Sequence, residues 1–406
     1  MLSFTKLLYT CEKSSAMTRT TIDQTLLPIA MQDSAFRSIF RDRMKKEYQE
    51  FAEKMPGNWR TALGEQYVAA RLFGVTAQAK NYLEHQRIQR LSARERDFLK
   101  GQLQNPWEFV FMKPVEDLGN DFFEMKDLIS EETFLLYSPG ISKYEAEMQM
   151  SMYFTLRSYN GQCYQTYGPI MYFRSLQIFD VMFFASQLDS AIEDYEELGE
   201  RIQEDPLPFM ALTMGSEFPT TVHKSDVLIV CASQLDLPSA DLAGLARAFA
   251  LQEKDGVHEL CLKRWSKHPH FATCYYDSVK EIFLASALTR RGYAKLRDTL
   301  IDFDITLPET PDVFVTLAGQ SLVETLLGRK LVINPYEELF KEEISPERQA
   351  ELDDTNRFLR LLLTAHNNDE EYDLQELAKE AGIPYETAQE LSTVLQESLA
   401  KHGIDK

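Results

Sequence analysis

Met148-Gln-Met-Ser-Met-Tyr-Phe-Thr-Leu156 is the stretch that decides the fold class of this chain. Large apolar residues take every second position, and this period of two predicts a β-strand with one buried face and one solvent-facing face. Tyr153 and Thr155 belong to the face predicted to meet solvent. Asn160-Gly161 follows, and this dipeptide tolerates the positive φ angles that a tight hairpin turn requires. The stretch therefore predicts a hairpin at the centre of a β-rich region.

Further strand patterns surround this hairpin. They cover residues 107–112, 122–128, 134–137 and 162–173, and short turn sequences separate them. Strands joined this closely predict an antiparallel meander or a small barrel. Five tyrosines on these strands suggest the alternative of a stacking platform for single-stranded nucleic acid, but few basic residues accompany them. They are Tyr153, Tyr159, Tyr164, Tyr167 and Tyr172.

The patterns on either side give the chain an α+β fold class with five parts. We predict a flexible N-terminus over 1–32, a basic helical domain over 33–105, the β-meander with flanking helices over 106–205, an α/β domain over 206–345 and an acidic helical tail over 346–406. Helices are predicted at 77–89, 92–104 and 239–252, among others, and a strand is predicted at 209–214.

Composition indicates an ordinary globular protein with an uneven charge. Of 406 residues, 44% are hydrophobic and 26% are charged, and the net charge is −20. Residues 35–100 contain 14 Lys and Arg against 8 Asp and Glu, a balance of +6, while 1–34 balance at zero, so 101–406 hold −26. A basic segment indicates either an anionic partner or docking on the acidic body of the same protein, and we favour docking.

Cysteine usage and hydropathy bear on the compartment. Five scattered cysteines without a Cys-x-x-Cys pair argue against a disulfide framework and against a four-thiolate zinc site, and they suit a reducing cytoplasm. The first sixteen residues lack a proper signal core, and Met17 is an alternative start. No apolar run approaches the ~20 residues that span a bilayer, so no membrane partner is expected.

Residues 68–87 resemble a helix-turn-helix. Gly74 ends a first helix, Thr76 is placed to cap a second, and the second helix would present polar side chains to base edges or phosphates. The DNA-contacting candidates are Thr76, Gln78, Lys80, Asn81, Gln86 and Arg87. Residues 374–391 share this helix–glycine–helix outline, but their glutamates would repel a duplex, which predicts a structural or protein-contacting role.

Two further groups contain residue types that suit metal chemistry. Imidazole and thiolate are zinc ligands, and they are concentrated in His258, Cys261, His268, His270 and Cys274. Asp117, Glu124 and Lys126 resemble the Asp…Glu-x-Lys arrangement of a metal-dependent nuclease family. For both groups the alternative is ordinary: exposed loop histidines with a core cysteine, and a solvated hairpin.

No phosphate loop, dinucleotide fingerprint, zincin motif or serine-hydrolase elbow is present, and no cofactor is predicted. The sequence alone therefore favours a non-catalytic binding or scaffold protein with a protein partner. The alternatives are a DNA-binding regulator that uses residues 68–87 and contacts nucleic acid through the basic N-terminal helices, and a metal-dependent hydrolase or nuclease.

Overall fold

A computed structural model describes residues 4–36, 38–145, 152–213, 222–223, 226–254, 256–331, 354–359, 361–362 and 372–401. The chain divides into two compact units, Met1–Asn334 and Pro335–Lys406. Helices and two main sheets occur together in the first unit, which confirms the α+β class. In the part of the chain described, no helix is long and apolar enough to cross a membrane.

Helices precede the first sheet. They are α1 (Phe4–Thr18), α2 (Leu27–Ala30), α3 (Ile39–Glu47), α4 (Gln49–Lys54), α5 (Gly57–Phe73), α6 (Gln86–Gln89) and α7 (Ala93–Gln102). Ser92 and Glu95 form the predicted capping box at the start of α7. The expectation of a flexible segment over 1–32 does not hold for residues 4–30, because these residues are helical and bury Cys11, Ile22 and Leu26.

The central region is a closed five-stranded barrel. Its strands are β1 (Glu108–Gly119), β2 (Phe122–Asp127), β3 (Thr133–Tyr137), β4 (Met152–Tyr159) and β5 (Tyr164–Phe173), in the order β1-β2-β3-β5-β4, and α8 (Pro139–Glu145) lies between β3 and β4. The pair β3–β5 is parallel and the others are antiparallel. This connectivity is that of an OB-fold barrel, and by itself it indicates no function.

Both faces of β4 are buried, which corrects the prediction of a half-exposed strand. Tyr153 and Thr155, expected in solvent, are both 0% exposed. Tyr153 packs inside the barrel with Val110 and Met125, whereas Phe154 packs outside it in the core shared with the helices. The alternation of residue types along β4 therefore separates two buried faces, one packed on the helices and one turned to the barrel interior. Residues 148–151 of the predicted strand lie outside the described residues.

Helices follow the barrel and pack on its outer surface. They are α9 (Ile178–Leu188), α10 (Tyr195–Glu204) and α11 (Leu207–Ala211). The predicted strand at 209–214 is wrong over 209–211, since Phe209 and Met210 belong to a helix that starts with proline in its first turn. Met214 lies outside the described residues. Phe209 is fully buried and meets Phe111 of the barrel edge-on, with ring centroids 6.5 Å apart.

A second, six-stranded antiparallel sheet has the order β13-β8-β12-β11-β10-β9. Its strands, with the two-residue pair β6 and β7 before them, are β6 (Val222–His223), β7 (Asp226–Val227), β8 (Ile229–Asp236), β9 (Phe249–Lys254), β10 (Val257–Leu262), β11 (Thr273–Asp277), β12 (Ile282–Ala287) and β13 (Val313–Thr316). The helices of this part are α12 (Leu242–Leu245), α13 (Arg290–Leu300) and α14 (Leu317–Leu327).

One predicted helix in this region is largely wrong. Residues 239–252 contain only the single turn α12, and the chain then enters strand β9 at Phe249. The apolar residues 242, 245 and 249 fit a helical period, but β9 gains a full ladder with β10, including Leu251 opposite Leu260. Tertiary pairing therefore overrides the local pattern.

Asp180, at the start of α9, is buried against the turn between β13 and α14. Its carboxylate accepts backbone N–H groups from Gln177 at 2.8 Å and from Thr316 at 2.7 Å. Burial raises the pKa of Asp180 to about 6, although both hydrogen bonds act in the opposite direction.

The second unit contains the predicted helix–glycine–helix. Its helices are α15 (Leu374–Ala381) and α16 (Tyr385–Lys401), and Gly382 between them has a φ of +84°. Phe358, Leu362 and Ala378 belong to its buried core. Residues 346–353, 360, 363–371 and 402–406 of the predicted acidic tail lie outside the described residues.

Candidate binding cleft

A cleft of about 540 Å³ opens where α5, the π-helical segment Arg19–Leu26 and β5 meet. Helix α5 supplies one face of its lining, because the lining positions repeat at the three- and four-residue spacing of a helix face. The lining residues from α5 are Asn58, Trp59, Ala62, Glu65 and Gln66. This volume falls in the range of small-molecule sites, roughly 300–1,000 Å³.

Asp23 and Tyr167 close one side of the cleft. The Tyr167 hydroxyl donates a hydrogen bond of 2.8 Å to the Asp23 carboxylate, and the Tyr167 ring packs on Trp107 with centroids 4.8 Å apart. Burial raises the pKa of Asp23 above its usual range, and this effect exceeds the opposing effects of the Tyr167 hydrogen bond and the Arg19 charge. The Tyr167 pKa is also raised, first by burial and then by the Asp23 charge. Tyr167 therefore stays a neutral donor beside a carboxylate.

Glu65 is the second acidic group of the cleft. The side chain is exposed, but its partial desolvation raises its pKa, and the negative charge of Asp23 raises it further. The influence of one carboxylate on the pKa of the other means that the two share an electrostatic environment. A cation placed beside the two carboxylates would stabilise their ionised forms.

Gln66 anchors the floor of the cleft and is 0% exposed. Its Nε2 donates to the main-chain carbonyls of Tyr167 at 2.7 Å and Pro169 at 2.8 Å, which fixes the amide orientation because an oxygen in that position would be repelled. The Oε1 atom is buried and has no hydrogen-bond partner among the described residues. A buried acceptor left without a donor costs about 1–3 kcal/mol.

Gly168 allows the backbone of β5 to approach Gln66. Its φ is +72°, and a Cβ atom built there would lie 3.0 Å from Cβ of Gln66. A side chain at this position would therefore meet both backbone strain and a close contact.

The lining is rich in acceptors and contains no positive charge. None of its described residues is lysine, arginine or histidine, and the indole of Trp59 is half-buried beside the two carboxylates. Serine, threonine and cysteine are also absent from this lining, and the Tyr167 hydroxyl already donates to Asp23. The arrangement suits the binding of a group that donates hydrogen bonds and has a positive charge.

A second cleft, of about 570 Å³, lies between α3, α4 and α5. Its charged lining mixes both signs, with Arg41 and Lys45 beside Asp42 and Glu53. Such a surface has no clear preference for either sign of ligand, and it provides no comparable argument for a site.

The helix predicted over 77–89 is not continuous. Gln78–Tyr82 forms a 3-10 turn, and α6 begins only after His85, whose side chain accepts the Arg87 backbone N–H. Thr76 donates to the carbonyl of Arg71 and so completes the preceding helix instead of starting the next one. A reading helix of the helix-turn-helix type needs more unbroken length than these pieces provide.

The DNA-contacting candidates nevertheless lie near the surface. Gln78 is half-buried, and the exposed candidates are Thr76, Lys80, Asn81, Gln86 and Arg87. One guanidinium nitrogen of Arg87 lies 3.5 Å from the Gln24 carbonyl. Exposure alone does not test nucleic-acid binding, which stays a prediction.

The predicted zinc ligands are not brought together. In the part of the chain that the structure describes, no three histidine, cysteine or acidic side chains are grouped closely enough to hold a metal ion. His258 and Cys261 are three residues apart on β10, so they point to opposite sides of the sheet. Cys274 is fully buried in the sheet core, and its pKa is raised by that burial.

The other two histidines of the predicted zinc site, His268 and His270, contact side chains that are not zinc ligands. His270 Nδ1 lies 2.7 Å from Thr289 Oγ1, and the His270 ring packs on Trp265 with centroids 4.5 Å apart. His268 meets Phe271 edge-on at 5.9 Å. Both therefore belong to a loop that packs near the start of α13.

The nuclease-like residues also diverge. Asp117 pairs with Phe123 across the β1–β2 ladder, which places it on the face opposite Glu124, and its carboxylate accepts the Gly119 N–H at 2.8 Å. Lys126 forms an ion pair with Glu131 at 3.1 Å. Asp117 therefore lies on the face opposite Glu124, and Lys126 is paired with Glu131.

The five tyrosines do not form one exposed surface. Tyr153 is inside the barrel, Tyr167 lines the cleft, and the Arg157 guanidinium lies 4.6 Å from the Tyr164 ring centroid. The Phe134 ring centroid lies at the same distance from the Arg157 guanidinium. The guanidinium therefore covers part of a ring that stacking would require.

Comparisons with protein-family models, with curated proteins and with solved structures found no match.

Proposed function

We propose that this chain is a non-catalytic binding protein whose cleft takes a positively charged group, an ammonium or a guanidinium. The observation that supports this most is that three acceptor groups line one cleft without a positive charge among its described lining residues. Only the buried Oε1 of Gln66 lacks a partner among the described residues; the other two acceptors are the Asp23 carboxylate, which already accepts from Tyr167, and the Glu65 carboxylate, and the pKa values of both carboxylates are raised. A bound cation favours the ionised carboxylates, and its N–H groups can reach acceptors that a neutral apolar ligand would leave unpaired.

The proposed partner is a protein that presents an arginine or lysine side chain. The net charge of −20 attracts basic partners and speeds their encounter with the acidic surface. Trp59 adds an aromatic surface at the cleft, which favours cations over neutral groups of the same shape. A free small amine is the other source of the same chemistry.

The cytoplasm is the proposed compartment. All five cysteines are free thiols in the structure, as suits a reducing environment.

Tryptophan fluorescence provides the test, since Trp59 lines the cleft. Titration of the full chain with n-butylguanidinium, and separately with a short arginine-containing peptide, should give a saturable change in emission. Glu65→Gln should weaken binding about tenfold, because removing one charge–charge hydrogen bond costs roughly 1.5–3 kcal/mol, reduced at this exposed position by solvent screening. Trp265→Phe, in the segment between β10 and β11, is the matched control and should leave the titration unchanged.

The two titrations distinguish a protein partner from a free small amine. If the peptide binds much more tightly than n-butylguanidinium, a protein partner is supported. Equal affinity for both supports a small amine. If neither changes the emission at millimolar concentration, or if Glu65→Gln binds as tightly as the wild type, the proposal is overturned.

A further inference from the structure

Two thiols from distant parts of the chain meet below the surface. Cys11 of α1 and Cys163, in the turn before β5, have their Sγ atoms 3.3 Å apart, and they are 0% and 2% exposed. A disulfide needs a separation of about 2.05 Å, so the sulfur atoms have to approach each other by roughly 1.3 Å. That movement is small enough for side-chain rotation and a slight shift of a turn.

The two cysteines belong to an apolar cluster, but amide groups also lie within hydrogen-bonding distance of them. Asn160 Nδ2 lies 3.3 Å from the Cys11 sulfur and 3.6 Å from the Cys163 sulfur. Gln165 Nε2 donates to the Cys11 carbonyl at 3.1 Å and to Ser15 Oγ at 3.0 Å. These contacts fix the turn between β4 and β5 against α1.

The environment divides the two thiols into different roles. The hydrogen bond from Cys163 lowers the pKa of Cys11, and the same contact raises the pKa of Cys163. Because the thiolate is the reactive form, Cys11 is the attacking sulfur and Cys163 retains its proton.

An open cleft of about 390 Å³ lies next to this pair, although neither cysteine belongs to its lining. It is lined by Ser15 and Gln165, which contact the Cys11 region, and by Glu12, Arg19 and Tyr137. A hydroperoxide is small and polar enough to enter such a cleft.

We propose that Cys11 and Cys163 are a reversible disulfide pair that a hydroperoxide oxidises, and that the bond fastens α1 to the turn between β4 and β5. The Cys11 thiolate attacks one peroxide oxygen, the O–O bond breaks, and the released alkoxide or hydroxide takes up a proton. Cys163 then attacks the Cys11 sulfenic sulfur, so that an S–S bond forms, the S–O bond breaks and water leaves with the Cys163 proton. In total, two thiols lose two electrons and two protons, and the hydroperoxide becomes water and an alcohol or a second water.

The first test uses the wild-type full chain. After treatment with hydrogen peroxide and alkylation of the remaining thiols in denaturant, peptide mass spectrometry should find the Cys11 and Cys163 peptides joined. Dithiothreitol should restore both thiols. If both residues are alkylated after peroxide, or if Cys11 is sulfinic acid while Cys163 stays a thiol, the proposal is overturned.

The second test measures whether the disulfide holds α1 in place and so protects it from trypsin. Trypsin cleavage after the exposed Lys13 should slow at least tenfold in the oxidised wild type relative to the reduced protein. Cys163→Ser treated with the same peroxide should show no slowing, whereas Cys231→Ser, in the second sheet, should slow as the wild type does. Equal cleavage of oxidised and reduced wild type would contradict the fastening.

Discussion

The Tyr167 hydroxyl and the Asp23 carboxylate are joined by a hydrogen bond of 2.8 Å across 144 positions of sequence. It connects the helical segment after α1 to the last strand of the barrel, at the edge of the proposed cleft. The bond also holds an acceptor-rich surface in place before any ligand arrives. Pre-organisation of this kind reduces the entropy that binding costs.

Tyr167→Phe should lower the free energy of unfolding by roughly 1 kcal/mol, because it removes the hydrogen bond and leaves the packing on Trp107. Urea unfolding measures this directly. Tyr9→Phe is the control, since Tyr9 is 65% exposed, and it should leave the midpoint unchanged. A Tyr167→Phe midpoint equal to that of the wild type would show that the bond adds nothing to stability.

Binding of the cationic group should depend on pH. The pKa values of Asp23 and Glu65 are raised above their ordinary 3.8 and 4.5, so protonation removes the attraction at a higher pH than for free carboxylates. Affinity for n-butylguanidinium should therefore fall as the pH is lowered through these raised values, and it should level off above them. Titrations at several pH values check this, and Glu65→Gln should have a shallower dependence. An affinity that rises on acidification would contradict the assignment.

Gly168→Ala should destabilise the protein by about 1–3 kcal/mol, since it combines a left-handed φ with a contact of 3.0 Å to Gln66. Gly161→Ala is the matched control: its φ is also positive, at +93°, but nothing lies within 4 Å of the added Cβ. Thermal unfolding should show the larger loss at Gly168. Equal losses would mean that the approach to Gln66 is unimportant.

Asp180 should make stability depend on pH. Its folded pKa of about 6 exceeds the ordinary 3.8, so its stabilising contribution is present below 3.8 and is lost as the pH rises to about 6. The advantage of the wild type over Asp180→Asn should therefore be larger at pH 4 than at pH 7, by roughly 2–3 kcal/mol. Urea unfolding of both proteins at the two pH values measures the difference. A constant difference would show that Asp180 does not titrate in this window.

Arg43 should be important for attaching the basic helices. Its guanidinium forms hydrogen bonds of 2.7 and 2.8 Å with Asp205, and it also pairs with Glu47. Arg43→Ala should cost about 1.5–3 kcal/mol. Arg41→Ala, whose pair with Asp42 is exposed on both sides, should cost less than about 0.5 kcal/mol. Similar costs for both would argue against docking through Arg43.

The sequence could predict the fold class, the barrel region and the capping box at Ser92, because these depend on local period and on turn chemistry. The predictions from sequence were wrong where contacts between distant segments determine the structure. Tyr153 looked solvent-facing because closure of the sheet is not visible in one strand, and Phe249 looked helical because its strand partner, Leu262, lies thirteen residues away. The segment 77–89 was predicted to be one helix because both halves favour helical turns, although the structure forms two separate short turns there, Gln78–Tyr82 and Gln86–Gln89.

The cleft was missed for a related reason. Asp23, Glu65 and Tyr167 come from three separate segments, and nothing in their local sequence distinguishes them from surface residues. One signal was present: Gln66 lies on the otherwise apolar face of α5, and a buried amide requires partners. The sequence does not show that those partners are the carbonyls of Tyr167 and Pro169.

Isothermal titration of the wild-type protein with n-butylguanidinium and with n-butylurea tests the central claim most directly, since the two probes have similar shapes and differ in charge. The account predicts one site for the guanidinium and at least tenfold weaker binding of the urea, because the carboxylates of Asp23 and Glu65 attract only the cation. Equal affinity for both probes, or no heat from either at millimolar concentration, would contradict it.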